Sequence, residues 1–224
     1  MYIIANTFLY YVRGIYGQEF FCYTLTMKND LVKKGYDKAA GHYAQTRNQF
    51  ESIKYLEIFS KLVDKGKTIL DIGCGAGKPV DEFLVNRGFA VNGIDISTRM
   101  LELAKKNVPK AFYEVKDMSA LKYGEYCVNG IVSFYAIFHT PRERHQELLT
   151  KFASFMPNGG ALLITMGAND WEGTEGDFHG AKMFWSHYGA EKNKELVEHA
   201  GFKVLLNEID KSSNEEHQII IAKI

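Results

Sequence analysis

The chain has 224 residues, 46% of them apolar, and its basic and acidic side chains balance to a formal net charge of zero. That is enough apolar material for a sizeable core, and the balance lacks the basic excess with which proteins grip nucleic acid or anionic membrane. No apolar stretch is long enough to span a bilayer, and Cys22, Cys74 and Cys127 stand far apart without partners at metal-ligand spacing; this predicts no disulfide framework, no metal and a reduced, cytoplasmic setting.

Residues 1–26 are rich in tyrosine and phenylalanine but lack the basic start, unbroken apolar centre and small-residue exit of a signal peptide. Met27 opens a polar, helical run. The expected organisation is an N-terminal extension over 1–26, with the working protein starting at Met27, and one domain over 27–224. Tyr36, Ala39, Ala40, Tyr43 and Ala44 share a helical face, and Ile53 to Val63 continues as a second amphipathic helix; together they form a helical segment over about 29–64. Thr68–Ile72 is a buried strand that runs into three alternating glycines, Gly73, Gly75 and Gly77. A helix over about 78–87 and a strand over 90–94 follow, ending in Asp95. Ser97 is the expected N-cap of the next helix, and strands are expected over 111–115 and 128–134, separated by a loop over 116–126. A helix over 141–155, the turn Pro157-Asn158-Gly159-Gly160 and a strand over 161–166 complete the regular alternation. Residues 167–189 break it with glycine, acids, histidines and aromatics in a loop-like segment. A helix over 191–200 and strands over 202–209 and 217–224 close the chain.

Strand–helix alternation predicts a doubly wound, Rossmann-like α/β fold: seven strands, mostly parallel, with an antiparallel final strand. Ligands of such sheets sit beyond the carboxyl ends of the strands. Asp71, the glycine turn, Asp95, the loop at 116–119 and residues 135–139 all belong to those ends. A carboxylate about twenty residues beyond the glycine turn suits a ribose. The glycine spacing is G-x-G-x-G, with Lys78 where a dinucleotide fingerprint wants glycine and Pro79, which has no N–H, where a diphosphate would rest. Asp71 would repel a diphosphate and suits a cationic cofactor.

These residues resemble the class I S-adenosylmethionine-dependent methyltransferases, in particular the small-molecule "type 11" branch that includes quinone-biosynthesis enzymes. Ile69 to Gly77 is similar to the family's first motif, and Gly93-Ile94-Asp95-Ile96-Ser97 to its ribose-binding strand. Lys116-Asp117-Met118 resembles the adenine loop, Phe134 to His139 the fourth-strand motif, and Tyr36-Asp37-x-x-Ala40-x-x-Tyr43 a helical lid. The resemblance implies S-adenosylmethionine as cofactor. Gly73 and Gly75 would approach its methionine part and Asp71 would orient it; Asp95 would hold the ribose, Ile96, Asp117 and Met118 the adenine; Tyr36, Tyr43 and Tyr135 would close on it.

Methyl transfer needs alignment and a dry site, and a base only for a protonated nucleophile. His139 is the candidate base. Trp171, His179, Trp185, His187 and Tyr188 are the candidate acceptor wall, in a segment where the family builds its substrate cover. Glu172, Glu175 and Asp177 are expected to be solvated. The acceptor expected is a small molecule rather than nucleic acid; the alternatives are a nicotinamide-dependent oxidoreductase and a cofactor-binding module without turnover.

Overall fold

A computed structural model describes residues 27–42, 53–212 and 216–224. Residues 1–26, Tyr43 and residues 213–215 lie outside these. Helix α1 covers 27–42, followed by α2 (Ile53–Ser60), β1 (Thr68–Ile72), α3 (Val80–Asn86), β2 (Ala90–Asp95) and α4 (Thr98–Asn107). Then come β3 (Phe112–Val115), β4 (Gly130–Ser133), α5 (His145–Ser154), β5 (Ala161–Gly167), β6 (Trp171–Phe178) and β7 (Ala181–His187). Helix α6 (Ala190–His199) and strands β8 (Lys203–Asp210) and β9 (His217–Lys223) end the chain.

The main sheet has seven strands in the order β3-β2-β1-β4-β5-β9-β8. The first five are mutually parallel, and β9 runs antiparallel to both of its neighbours. Side chains alternate between the two faces, as strand geometry demands. Leu70, Ile131, Leu162 and Ile164 pack on one face against Leu148 and Phe152 of α5 and Val197 of α6. Ile69, Val132, Leu163 and Ile221 pack on the other against Leu56 and Phe59 of α2 and Leu84 of α3. A strand covered on both faces reads as a continuous apolar run, and all seven residues of β5 are buried. The Phe59 ring leaves no space for a side chain at Gly130, where a Cβ would lie 2.8 Å from its Cζ.

Three expectations are corrected. The loop-like segment at 167–189 is largely the antiparallel hairpin β6–β7. Gly173, Gly176 and three acids on solvent-facing β6 hide its strand character, while β7 buries Ala181, Met183, Phe184 and Ser186. The helix expected from 141 is α-helical only from His145, because Arg142–Arg144 is a tighter 3₁₀ turn. Helix α3 starts at Val80, since Pro79 is its cap. The Ser97 cap is as expected: its Oγ accepts from the Met100 N–H at 3.1 Å.

His145, at the start of α5, is fully buried, with Nε2 3.2 Å from the Thr140 carbonyl oxygen. Burial lowers its pKa to about 4. A neutral folded histidine that titrates near 6.5 when unfolded gives full stability above pH 6.5 and loses it as pH falls towards 4. Urea unfolding of the protein and of His145→Gln should therefore differ in pH dependence by about 3 kcal/mol between pH 7 and pH 4. Parallel profiles would remove His145 as the cause.

Candidate active site

The parallel strands deliver their carboxyl ends to one edge, and a cleft opens where β1 and β4 part, the switch point of the sheet. Counting its open mouth, the cleft is about 900 Å³. Its floor is the turn after β1. There the Gly73 and Cys74 N–H groups both donate to the Ile94 carbonyl, at 2.8 and 3.0 Å, which pins the turn across β2. Gly73 has φ +81°, and a Cβ on it would lie 2.3 Å from Cβ of Ala136. At Gly75, φ +54°, a Cβ would meet nothing within 4 Å. Backbone therefore faces the cleft bare.

Carboxylates surround this turn. Asp95 Oδ2 accepts from the Gly75 N–H at 2.9 Å and Oδ1 from the Ser97 N–H at 2.8 Å. Desolvation nevertheless raises its pKa to about 6. Asp71, 1% exposed, is hydrogen-bonded to the buried Asp81, whose other donor is the Tyr113 hydroxyl at 2.9 Å. Burial pushes the Asp81 carboxyl up, against the pull of those two bonds. Two buried carboxyls side by side do not both ionise cheaply. The Cys74 thiol is also pushed up by burial, which makes it packing rather than a nucleophile.

Helix α1 lies over the cleft. Asn29 Nδ2 donates to Asp117 Oδ2 at 2.7 Å, while Asp117 Oδ1 accepts from the Ser119 N–H at 2.8 Å. Ser97 Oγ donates to Asp37 Oδ1 at 2.6 Å. Burial works to raise the Asp37 pKa, but bonds from Lys33 and Ser97 bring it below the usual value. Tyr36 Oη is 2.7 Å from His139 Nε2, and His139 Nδ1 is 2.8 Å from the Phe184 carbonyl oxygen. A carbonyl only accepts, so Nδ1 carries the hydrogen and Nε2 accepts a hydrogen bond from the Tyr36 hydroxyl. The hairpin backs this lid: Val32 packs with Met183 and Phe184, and Lys28 pairs with Glu172 at 3.1 Å.

Tyr36, Asp71, Gly73, Gly75, Asp95, Ile96, Asp117, Met118, Tyr135 and His139 all line this cleft; Tyr43 lies outside the described residues. Tyr135 holds φ +54°, a strained conformation that places its ring 4.8 Å from that of His217. Trp171, Trp185 and His187 line a second cleft at the base of the hairpin. His179 and Tyr188 line neither. His179 stands at the hairpin tip with its Nδ1 2.9 Å from that of His42, and Tyr188 packs beneath Arg142 and against His145.

The family described as "Methyltransferase domain" matches residues 69–160. A TehB-like SAM-dependent methyltransferase from Corynebacterium glutamicum superposes with a TM-score of 0.63 at 19% identity, over 85% of this chain and 97% of that one. This is the class I S-adenosylmethionine-dependent methyltransferase fold. An uncharacterized methyltransferase of Oceanobacillus iheyensis is 26% identical over 176 residues, 78% of this chain and 74% of that relative. A tRNA (carboxymethyluridine(34)-5-O)-methyltransferase of Xenopus tropicalis is 27% identical over 148 residues, 66% of this chain; the chain spans 22% of that relative's length.

The residues present fit the cofactor of the methyltransferase fold. The turn offers bare backbone and carboxylates, and Pro79 at the head of α3 offers no N–H to a diphosphate. Sequence reasoning missed Asn29, Asp81 and Tyr113. Asn29 and Asp117 are 88 residues apart and Tyr113 and Asp81 32 apart, so no local pattern links them.

In the methyltransferase fold Gly73 carries both strain and contact. Gly73→Ala should lose about 2 kcal/mol or more of stability through positive φ and overpacking, and Gly75→Ala only about 1 kcal/mol through φ. Equal losses by thermal unfolding would contradict the close approach at Ala136.

Proposed function

We propose that this chain transfers a methyl group from S-adenosylmethionine to a small-molecule acceptor. The observation that carries the reading is the sign of the cleft: Asp71, Asp95 and Asp117 at strand ends, with Pro79, which has no N–H, as the cap of α3. This favours a cationic nucleoside and disfavours diphosphates. When bound, the cofactor supplies an electrophilic methyl group on a positively charged sulfur.

Asp95 accepts the ribose hydroxyls with the lone pairs left over from Gly75 and Ser97. Ile96 and Met118 flank the adenine, and Asp117, already held by Asn29, accepts from its amine. Gly73 and Gly75 let the backbone approach the methionine part, near Asp71. Tyr36, carried on α1 as the lid, and Tyr135 close over it. Trp171, Trp185 and His187 face the acceptor beneath the cover at 167–189. His139 is the base, reached through Tyr36. A proton leaving the acceptor goes to Tyr36 Oη as the Tyr36 proton passes to His139 Nε2. The imidazolium keeps its Nδ1–H bond to the Phe184 carbonyl.

The zero net charge supports a small acceptor over RNA, whose phosphates call for concentrated basic residues. The motifs at 69–77 and 93–97 support the quinone-biosynthesis branch within this fold.

Calorimetry should find that the protein binds S-adenosylmethionine and not NADH, and that Asp95→Ala weakens binding by about 1.5–3 kcal/mol. Tight NADH binding with indifference to adenosyl sulfur compounds would overturn the assignment. Against an acceptor found by S-adenosylhomocysteine release, His139→Ala should lower single-turnover rate about a hundredfold or more. Tyr36→Phe should do the same, and the double variant little more, as for groups acting as one unit. Unaltered rates would leave alignment as the whole mechanism.

A further inference from the structure

The second cleft is set apart from the first by a wall of rings. The Trp185 ring is 4.3 Å from that of His139, Phe138 is 5.2 Å from both, and His217 is 4.8 Å from Tyr135. Beyond the wall, Phe138, Trp171 and Trp185 supply π-faces, Glu175 and Glu216 supply carboxylates, and the imidazoles of His187 and His217 complete the polar lining. No lysine or arginine lines the cleft among the described residues. The cations nearby are already held: Lys211 pairs with Glu216 at 2.8 Å, and Arg142 pairs with Asp170 and, at 3.6 Å, with Glu172. Glu175, expected from sequence to be merely solvated, has no ion pair in the described structure and lies across from Met183, where β6 bulges.

We propose that this cleft binds an organic ammonium group, as the cationic handle of the methyl acceptor. The reading rests on the methyltransferase assignment for the word acceptor; binding itself does not. Ring faces carry negative quadrupole potential, and a carboxylate beside them makes the site selective for positive charge rather than for any apolar ring. An anion would face the Glu175 carboxylate, which no cation of the described residues holds. The handle stays charged and is not the nucleophile, since a protonated or quaternary nitrogen has no lone pair. The nucleophilic atom is a different one, carried by the same molecule toward the wall shared with Tyr135 and His139.

The chain's two tryptophans, Trp171 and Trp185, both line this cleft, so intrinsic emission reports its occupancy. Trp171 is 50% exposed, open to an incoming ligand. The full chain, without cofactor, is titrated with benzyltrimethylammonium, its neutral isostere neopentylbenzene, and phenylacetate. Saturable change is expected for the ammonium, with at least tenfold weaker binding of the other two. Glu175→Gln, on an exposed strand, should weaken ammonium binding about three- to tenfold and leave the neutral isostere unaffected. Trp171→Phe keeps a ring face and should retain ammonium binding, while Trp171→Ala should lose it, read from Trp185 emission. Equal or tighter binding of neopentylbenzene or phenylacetate would overturn the proposal, as would an affinity indifferent to Glu175→Gln. S-adenosylmethionine affinity is measured on the same samples. Its retention with no ammonium binding sinks this proposal alone, and its loss with ammonium binding intact sinks the methyltransferase assignment alone.

Discussion

The site depends on one pair of hydrogen bonds, from the Gly73 and Cys74 N–H groups to the Ile94 carbonyl. They fold the chain back across β2 as it leaves β1, which puts the glycine turn beside the carboxyl end of both strands. Asp95 Oδ2 then accepts from Gly75, and the turn and the carboxylate at the end of β2 become one rigid unit. Only a chain without a side chain at position 73 can make this approach, because Ala136 already occupies the space. The parallel register behind it, Asp71 opposite Gly93 and Val132, is held by apolar packing on both faces of the sheet.

On that base the electrostatics are unusually acidic for so enclosed a place. Asp71 and Asp81 share a buried environment with the Tyr113 hydroxyl, and desolvation raises Asp95 as well as Asp81. Carboxyls under such pressure gain from a cation nearby, which is the property that separates this cleft from a dinucleotide site built on the same sheet. The lid follows the same logic. Helix α1 is tied to Asp117 through Asn29 and to the α4 cap through Asp37, and it delivers Tyr36 to His139. Opening the cleft must break several charge-assisted bonds together, so lid and cofactor site are mechanically coupled. The hairpin β6–β7 joins this assembly from the other side: Phe184 gives its carbonyl to His139 and its ring to Lys28.

The sequence was informative where physics is local. Short apolar runs placed the parallel strands to within a residue or two, most plainly β5, which is buried along its whole length. The Ser97 cap and the turn at 157–160 were legible for the same reason: one side chain or one dipeptide decides them. The residues that line the cofactor cleft were also legible, since a doubly wound sheet sends every parallel strand end to one edge. The hairpin was not. Its outer strand is glycine and acid, and its strand character comes from pairing with β7 and from α1 beneath it, neither of which is a local property.

The sequence by itself therefore determined the mostly parallel sheet and which strand ends meet at the main cleft, because each follows from periodicity, glycine and charge near one another in the chain. Tertiary structure alone decided which histidine faces a tyrosine, which carboxyls share a burial site, and how the cover's aromatics divide. Trp171, Trp185 and His187 face a second cleft, while His179 and Tyr188 are turned elsewhere. Those outcomes depend on contacts between segments as far as 137 residues apart, where chain entropy erases any local pattern and only packing against a third element selects the partner.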